Sequence, residues 1–334
     1  MSDTIILYDT MIQQKLILLG LVSTLILGCA KEGLETKIES STSIINAQEY
    51  QFEGNKVRQL SSDEDNLAVY GVIADIHGEV EKAKKVAQKF KEQKVEGILC
   101  LGDMPKNEAL RYGGNDSKND YTEIREVLEA LGQTGLPVLV IPGNHERKPD
   151  YERAMAAVAI RYPNIIDMSH YRIFDGDDVD FVSLPGYQIF KIPGRQFIPD
   201  DGYFASPQLI RETGKLREGL DDAVVLLAHG AGKTGKIGPA TISSGVDVGD
   251  AATSEMMQEN HISFALVGHI HEAGGLAATY QGIIVKPGQW ARQFTANFGT
   301  LEEWKNLDGN TYKGMAGILT VQGEQAKFEM VYLK

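Results

Sequence analysis

A chain of 334 residues has room for one large domain or two ordinary ones, with ample core. Its hydrophobic and charged fractions, 43% and 24%, are those of a soluble globular protein. A formal net charge of −13 repels polyanions, so nucleic-acid polymers and anionic membrane surfaces are not expected as partners, and a small phosphorylated molecule binds only where local positive charge overrides that field.

Residues 16–30, LILLGLVSTLILGCA, form an uncharged apolar run preceded by Lys15 and closed by Gly28-Cys29. The run is short for a membrane span, which needs roughly 20 residues. Its charged flank, apolar centre and small-residue end fit a secretory signal instead. Ile26-Leu27-Gly28-Cys29 resembles a bacterial lipobox, in which cleavage precedes a cysteine that then carries lipid. Residues 1–29 are therefore expected to be a signal peptide with a lipobox-like end, and the rest of the chain a membrane-anchored lipoprotein outside the cytoplasm. With Cys29 lipidated, Cys100 has no partner for an intramolecular disulfide. Its setting in the apolar run GILCLGD marks it as a buried core thiol.

Residues 30–65 are polar, lack sustained periodicity and read as a flexible tether, which leaves 66–334 as the folded domain. From Leu67 the pattern changes. LAVYGVIAD is a short apolar run ending in an aspartate, and GEVEKAKKVAQKFKEQK is helical, with Val80, Ala83, Val86, Ala87 and Phe90 on one face. VEGILCLGD is a second strand. After a Gly/Asn/Asp-rich loop at 113–120, YTEIREVLEALG is a helix with a glycine stop, and LPVLVIPGNHE is a third strand. This β-α-β-α-β order predicts a parallel sheet with crossover helices. YRIFDGDDVDFVSLPGY predicts a hairpin around Asp175-Gly176. Helices near 206–218 and 250–260 lead into the strands DAVVLLAHG and ISFALVGHIHE, and the remainder alternates strands and turns without an internal repeat.

Five apolar runs end in Asp, Asn or His: Asp75-Ile76-His77, Gly102-Asp103, Gly143-Asn144-His145-Glu146, His229, and Gly268-His269-Ile270-His271. In open α/β sheets the loops beyond the carboxyl ends of the strands converge on one crevice, so these residues can meet there. Carboxylate, amide oxygen and imidazole suit borderline first-row cations, and the lack of thiolate argues against a structural zinc site. Two aspartates, one asparagine and four histidines are too many donors for one ion. They would fill two adjacent sites with one carboxylate bridging, the arrangement that clamps an in-line displacement at phosphorus.

Gly230-x-Gly232-x-x-Gly235 matches the dinucleotide fingerprint, and Lys236 follows it. A phosphate-cradling loop needs Ser or Thr after that lysine, where Ile237 stands. The dinucleotide fingerprint must open a helix, and KIGPATISSGVDVG is loop chemistry. His229 is thus the functional residue of the stretch, and Lys233 and Lys236 are candidates for local positive charge toward a phosphate. Arg111, Arg147 and Arg292 are similar candidates.

The series Asp-x-His, Gly-Asp, Gly-Asn-His-Glu, a lone His and Gly-His-x-His resembles that of the calcineurin-like metallophosphoesterases over about residues 67–290. Lys286-Pro287-Gly288 is similar to the family's Asn-Pro-Gly turn. The resemblance implies a four-layer αββα sandwich of two mixed sheets flanked by helices. It also implies a first divalent metal on Asp75, His77 and His271, a second on Asn144, His229 and His269, and Asp103 bridging them. Mn, Fe, Zn and Co all accept such donors. His145 would contact the phosphate and protonate the leaving oxygen. The second motif departs from that of the phosphoprotein phosphatases: Gly102-Asp103-Met104-Pro105-Lys106 lacks both their phosphate-gripping arginine and the aspartate that orients the imidazole. A small phosphate ester, mono or di, is the expected substrate. The alternative is a non-catalytic, metal-stabilised lipoprotein that binds a ligand or partner.

Overall fold

The computed structural model describes residues 40–62, 65–106, 120–189, 191–193 and 195–334. The expected signal peptide with Cys29, and most of the 113–120 loop with neighbouring Arg111, lie outside the described residues. Among the described residues no helix is long and apolar enough to cross a membrane.

The first described elements correct the expectation of a tether over 30–65. Ser40–Ile45 (β1), Gln48–Glu53 (β2) and Lys56–Gln59 (β3) form an antiparallel meander. Asn46 and Ala47 both have positive φ, 49° and 66°, as a two-residue hairpin turn of the primed type requires. The meander buries Ile45, Tyr50 and Val57, and most of its other side chains stay in or near solvent. That is why its sequence reads as polar.

Next come β4 (Ala68–Ile73), α1 (Val80–Glu92), β5 (Gly97–Cys100), α2 (Asp120–Gly132), β6 (Val138–Val140), α3 (Lys148–Ala159) and β7 (Ile165–Asp167). Strands β4, β5, β6 and β7 are parallel neighbours, joined by the helices. Helices α1 and α2 are those expected from the sequence; α3 is an addition, and it starts directly behind Gly143-Asn144-His145-Glu146 with Pro149 in its first turn.

The second half runs β8 (Ile173–Asp175), β9 (Asp180–Leu184), β10 (Lys191–Ile192), β11 (Arg195–Gln196), α4 (Pro207–Lys215), β12 (Val224–Ala228), α5 (Ala251–Glu259) and β13 (Phe264–Val267). It ends with β14 (Ala277–Ala278), β15 (Ile284–Val285), β16 (Phe294–Asn297), β17 (Trp304–Lys305), β18 (Thr311–Tyr312), β19 (Met315–Gln322) and β20 (Gln325–Tyr332). The expected hairpin is β8–β9. Each of the two predicted helices opens on a side-chain cap: Ser206 accepts from Leu209 N at 3.1 Å, and Asp250 from Thr253 N at 2.7 Å.

Two large mixed sheets result. One has the order β1-β2-β3-β8-β9-β12-β13-β16-β14-β15, the other β20-β19-β4-β5-β6-β7. Alternation along the strands divides the core into three layers. Tyr70, Val72, Leu99 and Leu139 of the smaller sheet meet Phe181, Val225, Leu227 and Phe264 of the larger one between the sheets. On the outer faces, Ile73, Ile98 and Val140 pack under α1, α2 and α3, and Val182, Leu226 and Ala265 share a layer with Ile210 of α4 and Met256 of α5. The architecture is the four-layer αββα sandwich. Cys100 is a free, buried thiol in the helix-side layer, pushed up to about 12 by burial.

Candidate metal centre

The carboxyl ends of β4, β5 and β6 in one sheet, and of β12 and β13 in the other, open at a common edge. Register fixes this: Ile73 pairs with Cys100 and Cys100 with Val140, while Leu227 pairs with Leu266. A bond across the layers joins the two sets, from His229 Nδ1 to the Leu101 carbonyl at 2.9 Å.

Each aspartate is oriented by backbone amides. Asp103 Oδ1 accepts from Asn144 N at 2.7 Å and His145 N at 2.8 Å, so Oδ2 is left facing His229 Nε2 at 3.1 Å and His145 Nε2 at 3.7 Å. Asp75 Oδ2 accepts from His269 N at 2.8 Å, and Oδ1 lies 3.1 Å from His271 Nε2 and 3.7 Å from His77 Nε2. The two imidazole nitrogens of His77 and His271 are 3.2 Å apart, and the Nδ1 atoms of both rings are buried without hydrogen-bond partners. Two imidazole nitrogens and a carboxylate oxygen converging on one point are a donor set for a borderline cation. A second set adjoins it: His229 Nε2 lies 2.9 Å from Asn144 Oδ1 and 3.2 Å from His269 Nδ1. Asp103 groups both with His77 and His145 and with His229 and His269. The structure thus brings Asp75, His77, Asp103, Asn144, His145, His229, His269 and His271 to one place.

The glycines of the motifs are explained by crowding. A Cβ at Gly143 would overlap Asp103 Oδ1, and one at Gly268 would overlap Asp75 Oδ2. Asp75, His77, Asp103 and His269 all hold left-handed backbone, with φ of 48°, 47°, 53° and 65°. Such strain in non-glycine residues persists only where the surroundings over-determine it, and it gathers at functional sites.

Electrostatics follow from proximity. Burial drives the Asp75 and Asp103 carboxyls upward, but the surrounding histidines outweigh it and hold both well below the usual carboxylate range. His229 answers this: burial works against its charge, yet Asp103 and Asp75 raise it to about 10. Burial and the charge of His229 push His269 down to about 3, and burial pushes His145 down to about 4 against the pull of Asp103. His145 Nδ1 lies 3.1 Å from the Lys106 carbonyl, which can only accept, so in the neutral ring Nδ1 carries the proton and Nε2 faces the crevice. The Lys106 backbone carbonyl thus helps to orient this imidazole.

Two further residues support the centre, one from the Gly-Asn-His-Glu motif and one from outside the motifs. Glu146 accepts from Met104 N at 2.7 Å and Gly143 N at 2.8 Å, stapling the loops after β5 and β6. Burial and Asp103 raise its carboxyl to about 7. Asn297 Nδ2 donates to the carbonyls of Pro239, Gly268 and Ile270 at 2.8–3.0 Å and so holds the loop carrying His269 and His271. Its one sequence cue is an amide at the end of an apolar strand. Above the donors lies a crevice of about 680 Å³. Lys233 and Lys236 do not line it; Arg195 does. Arg147 pairs with Asp201 at 2.6 Å, Arg292 with Glu324 at 3.0 Å, and Lys286-Pro287-Gly288 is an exposed turn whose Gly288 N donates to Phe328 O.

A model of the calcineurin-like phosphoesterases matches residues 69–273. Among solved structures, TT1561 of Thermus thermophilus is similar with a TM-score of 0.53 at 12% identity, covering 80% of this chain and 100% of its own. GAP50, described as the anchor in the inner membrane complex of Plasmodium, gives 0.52 at 12% identity, covering 80% of this chain and 85% of its own. At such identities the likeness is one of fold. No curated protein matches the chain in sequence. Fold and clustered donors define a metal-dependent phosphoesterase. The chain belongs to the calcineurin-like phosphoesterase family.

Proposed function

We propose that this protein hydrolyses small phosphate esters with two divalent cations, one on Asp75, His77 and His271, the other on Asn144, His229 and His269, with Asp103 shared. The observation that carries this reading is the position of Asp103, whose carboxylate lies within reach of both donor groups. A cation pair in such a setting supplies an acidified water and neutralises charge building at phosphorus. The chain's own part is to hold the donors fixed and to move a proton at His145. Its Nε2 faces the crevice and the Asp103 carboxylate; an anionic phosphate beside the ring would raise its hold on a proton taken up from solvent at Nε2, and that proton would pass to the leaving alkoxide.

Hydrolysis of bis-p-nitrophenyl phosphate in added Mn²⁺ tests the reading, alongside elemental analysis for two metals per chain. Asp103→Ala is expected to lower turnover by on the order of a hundredfold or more, and His145→Ala by a similar factor. A metal-loaded protein that turns over neither mono- nor diesters would instead be the non-catalytic binding lipoprotein.

The reading includes a lipid anchor on Cys29 that holds the enzyme outside the cytoplasm, supported by the run at 16–30 and its Gly28-Cys29 ending. Cys29→Ser is expected to release the protein from the membrane fraction and abolish palmitate labelling. Unchanged labelling would end that part of the proposal.

A further inference from the structure

The crevice over the donors is far larger than a phosphate; about 680 Å³ is the size of site that encloses a drug-sized molecule. Its walls are mainly carbon. At the His269 end, the Tyr187 ring lies on the imidazole with centroids 3.9 Å apart, and Phe197 stands 6.3 Å beyond it. At the His271 end, Trp304 meets the imidazole edge to face at 4.6 Å. Ile242 and Ile270 also line the space. Charge is sparse. Among the described lining residues the one lysine or arginine is Arg195, whose guanidinium lies 4.7 Å over the Phe197 ring, and Glu272 is already engaged by Ser243 N and Oγ, both at 2.9 Å.

These walls are fixed to the donors. Asn144 Nδ2 donates to the Phe197 carbonyl at 3.0 Å, tying the β11 segment to the centre. The β17–β18 hairpin bearing Trp304 is pinned through Leu307 N to Glu272 O and Asn306 Nδ2 to Gly274 O. Trp304 also lies outside the stretch matched by the family model, 69–273, so this wall belongs to the chain's own C-terminal part.

We infer that the crevice selects phosphate esters whose organic group carries a flat aromatic ring, held by the aromatic lining that Trp304 and Phe197 supply at its two ends, with Arg195 as the positive charge beside Phe197. The inference rests on the phosphoester reading above. Polyphosphates and short alkyl esters lack the flat apolar surface that these rings can cover; an aromatic ring offers it.

Inert phosphonates test it without turnover. Calorimetry on the full chain in Mn²⁺ compares phenylphosphonate with methylphosphonate, for wild type, Trp304→Ala and Phe197→Ala. Phenylphosphonate is expected to bind about tenfold more tightly to wild type. Either substitution should shrink that ratio severalfold and leave methylphosphonate affinity near its original value, which also shows that the variant is folded. Equal wild-type affinities, or an equal loss for both ligands in both variants, would overturn the inference and reduce the rings to positioning residues for the imidazoles. Binding of neither phosphonate by a protein that still hydrolyses bis-p-nitrophenyl phosphate defeats the inference alone. Absence of both defeats the functional reading as well.

Discussion

Asp75 and Asp103 each give one oxygen to backbone amides and keep the other for the histidines. This division fixes the donors before any cation arrives, and it sets a proton balance. With His229 raised to about 10 by the two carboxylates, the metal-free centre carries an imidazolium at neutral pH. Loading a cation must expel that proton, so apparent metal affinity is expected to rise about tenfold per pH unit between pH 6.5 and 9. Calorimetric titration in buffers of different ionisation heat checks this by counting released protons; no release would contradict it. The same charge stabilises the metal-free fold below the ordinary histidine value of 6.5, and its contribution fades as pH climbs through about 10. Crowding at Gly268 gives a second residue-level prediction. Gly268→Ala forces a methyl into Asp75 Oδ2 and the Ala74 side chain, and should weaken metal binding more than tenfold in equilibrium dialysis.

At the scale of elements, the sequence is most informative where chemistry and periodicity coincide. Asp75, Asp103, Asn144, His229 and His269 punctuate apolar runs, and strand-end punctuation survives without knowledge of the tertiary fold. Helix α1 was legible because Ala83, Val86, Ala87 and Phe90 recur on one face. The β1–β3 meander was not, since its burial rests on three inward side chains and a turn, Asn46-Ala47, without glycine. Tyr187, Phe197 and Trp304 carry no such cue: a lone aromatic in a short irregular stretch has no sequence partner to reveal what it faces. The meander supplies its own test. Tyr50 is buried, with its ring 5.8 Å from that of Phe174, so Tyr50→Ala is expected to destabilise the protein by about 3 kcal/mol in urea unfolding. A free tether would leave the midpoint unchanged.

For the whole molecule, the centre joins two sheets. Asp75, Asp103 and Asn144 follow strands of the smaller sheet, and His229 and His269 follow strands of the larger one. On the proposed two-cation reading, cations that bridge these sets would bind the folded chain and not the unfolded one, so they should raise the melting temperature with concentration. Chelation is expected to lower the melting temperature by several degrees and added Mn²⁺ to restore it, while Asp103→Ala should abolish the response. A chelator-insensitive wild type would place the donors outside the stability of the fold.

Strand β4, which delivers Asp75 and His77, has β5 on one side and β19 on the other. The Asp75 carbonyl is held from the same late stretch, by Leu301 N at 3.1 Å and Thr300 Oγ1 at 2.7 Å. During synthesis the amino-terminal βα units emerge first, yet their leading strand stays a bare edge until β19 has been made. A chain cut before Met315 therefore lacks the strand that flanks β4 and leaves that corner open, however intact the sequence ahead of it.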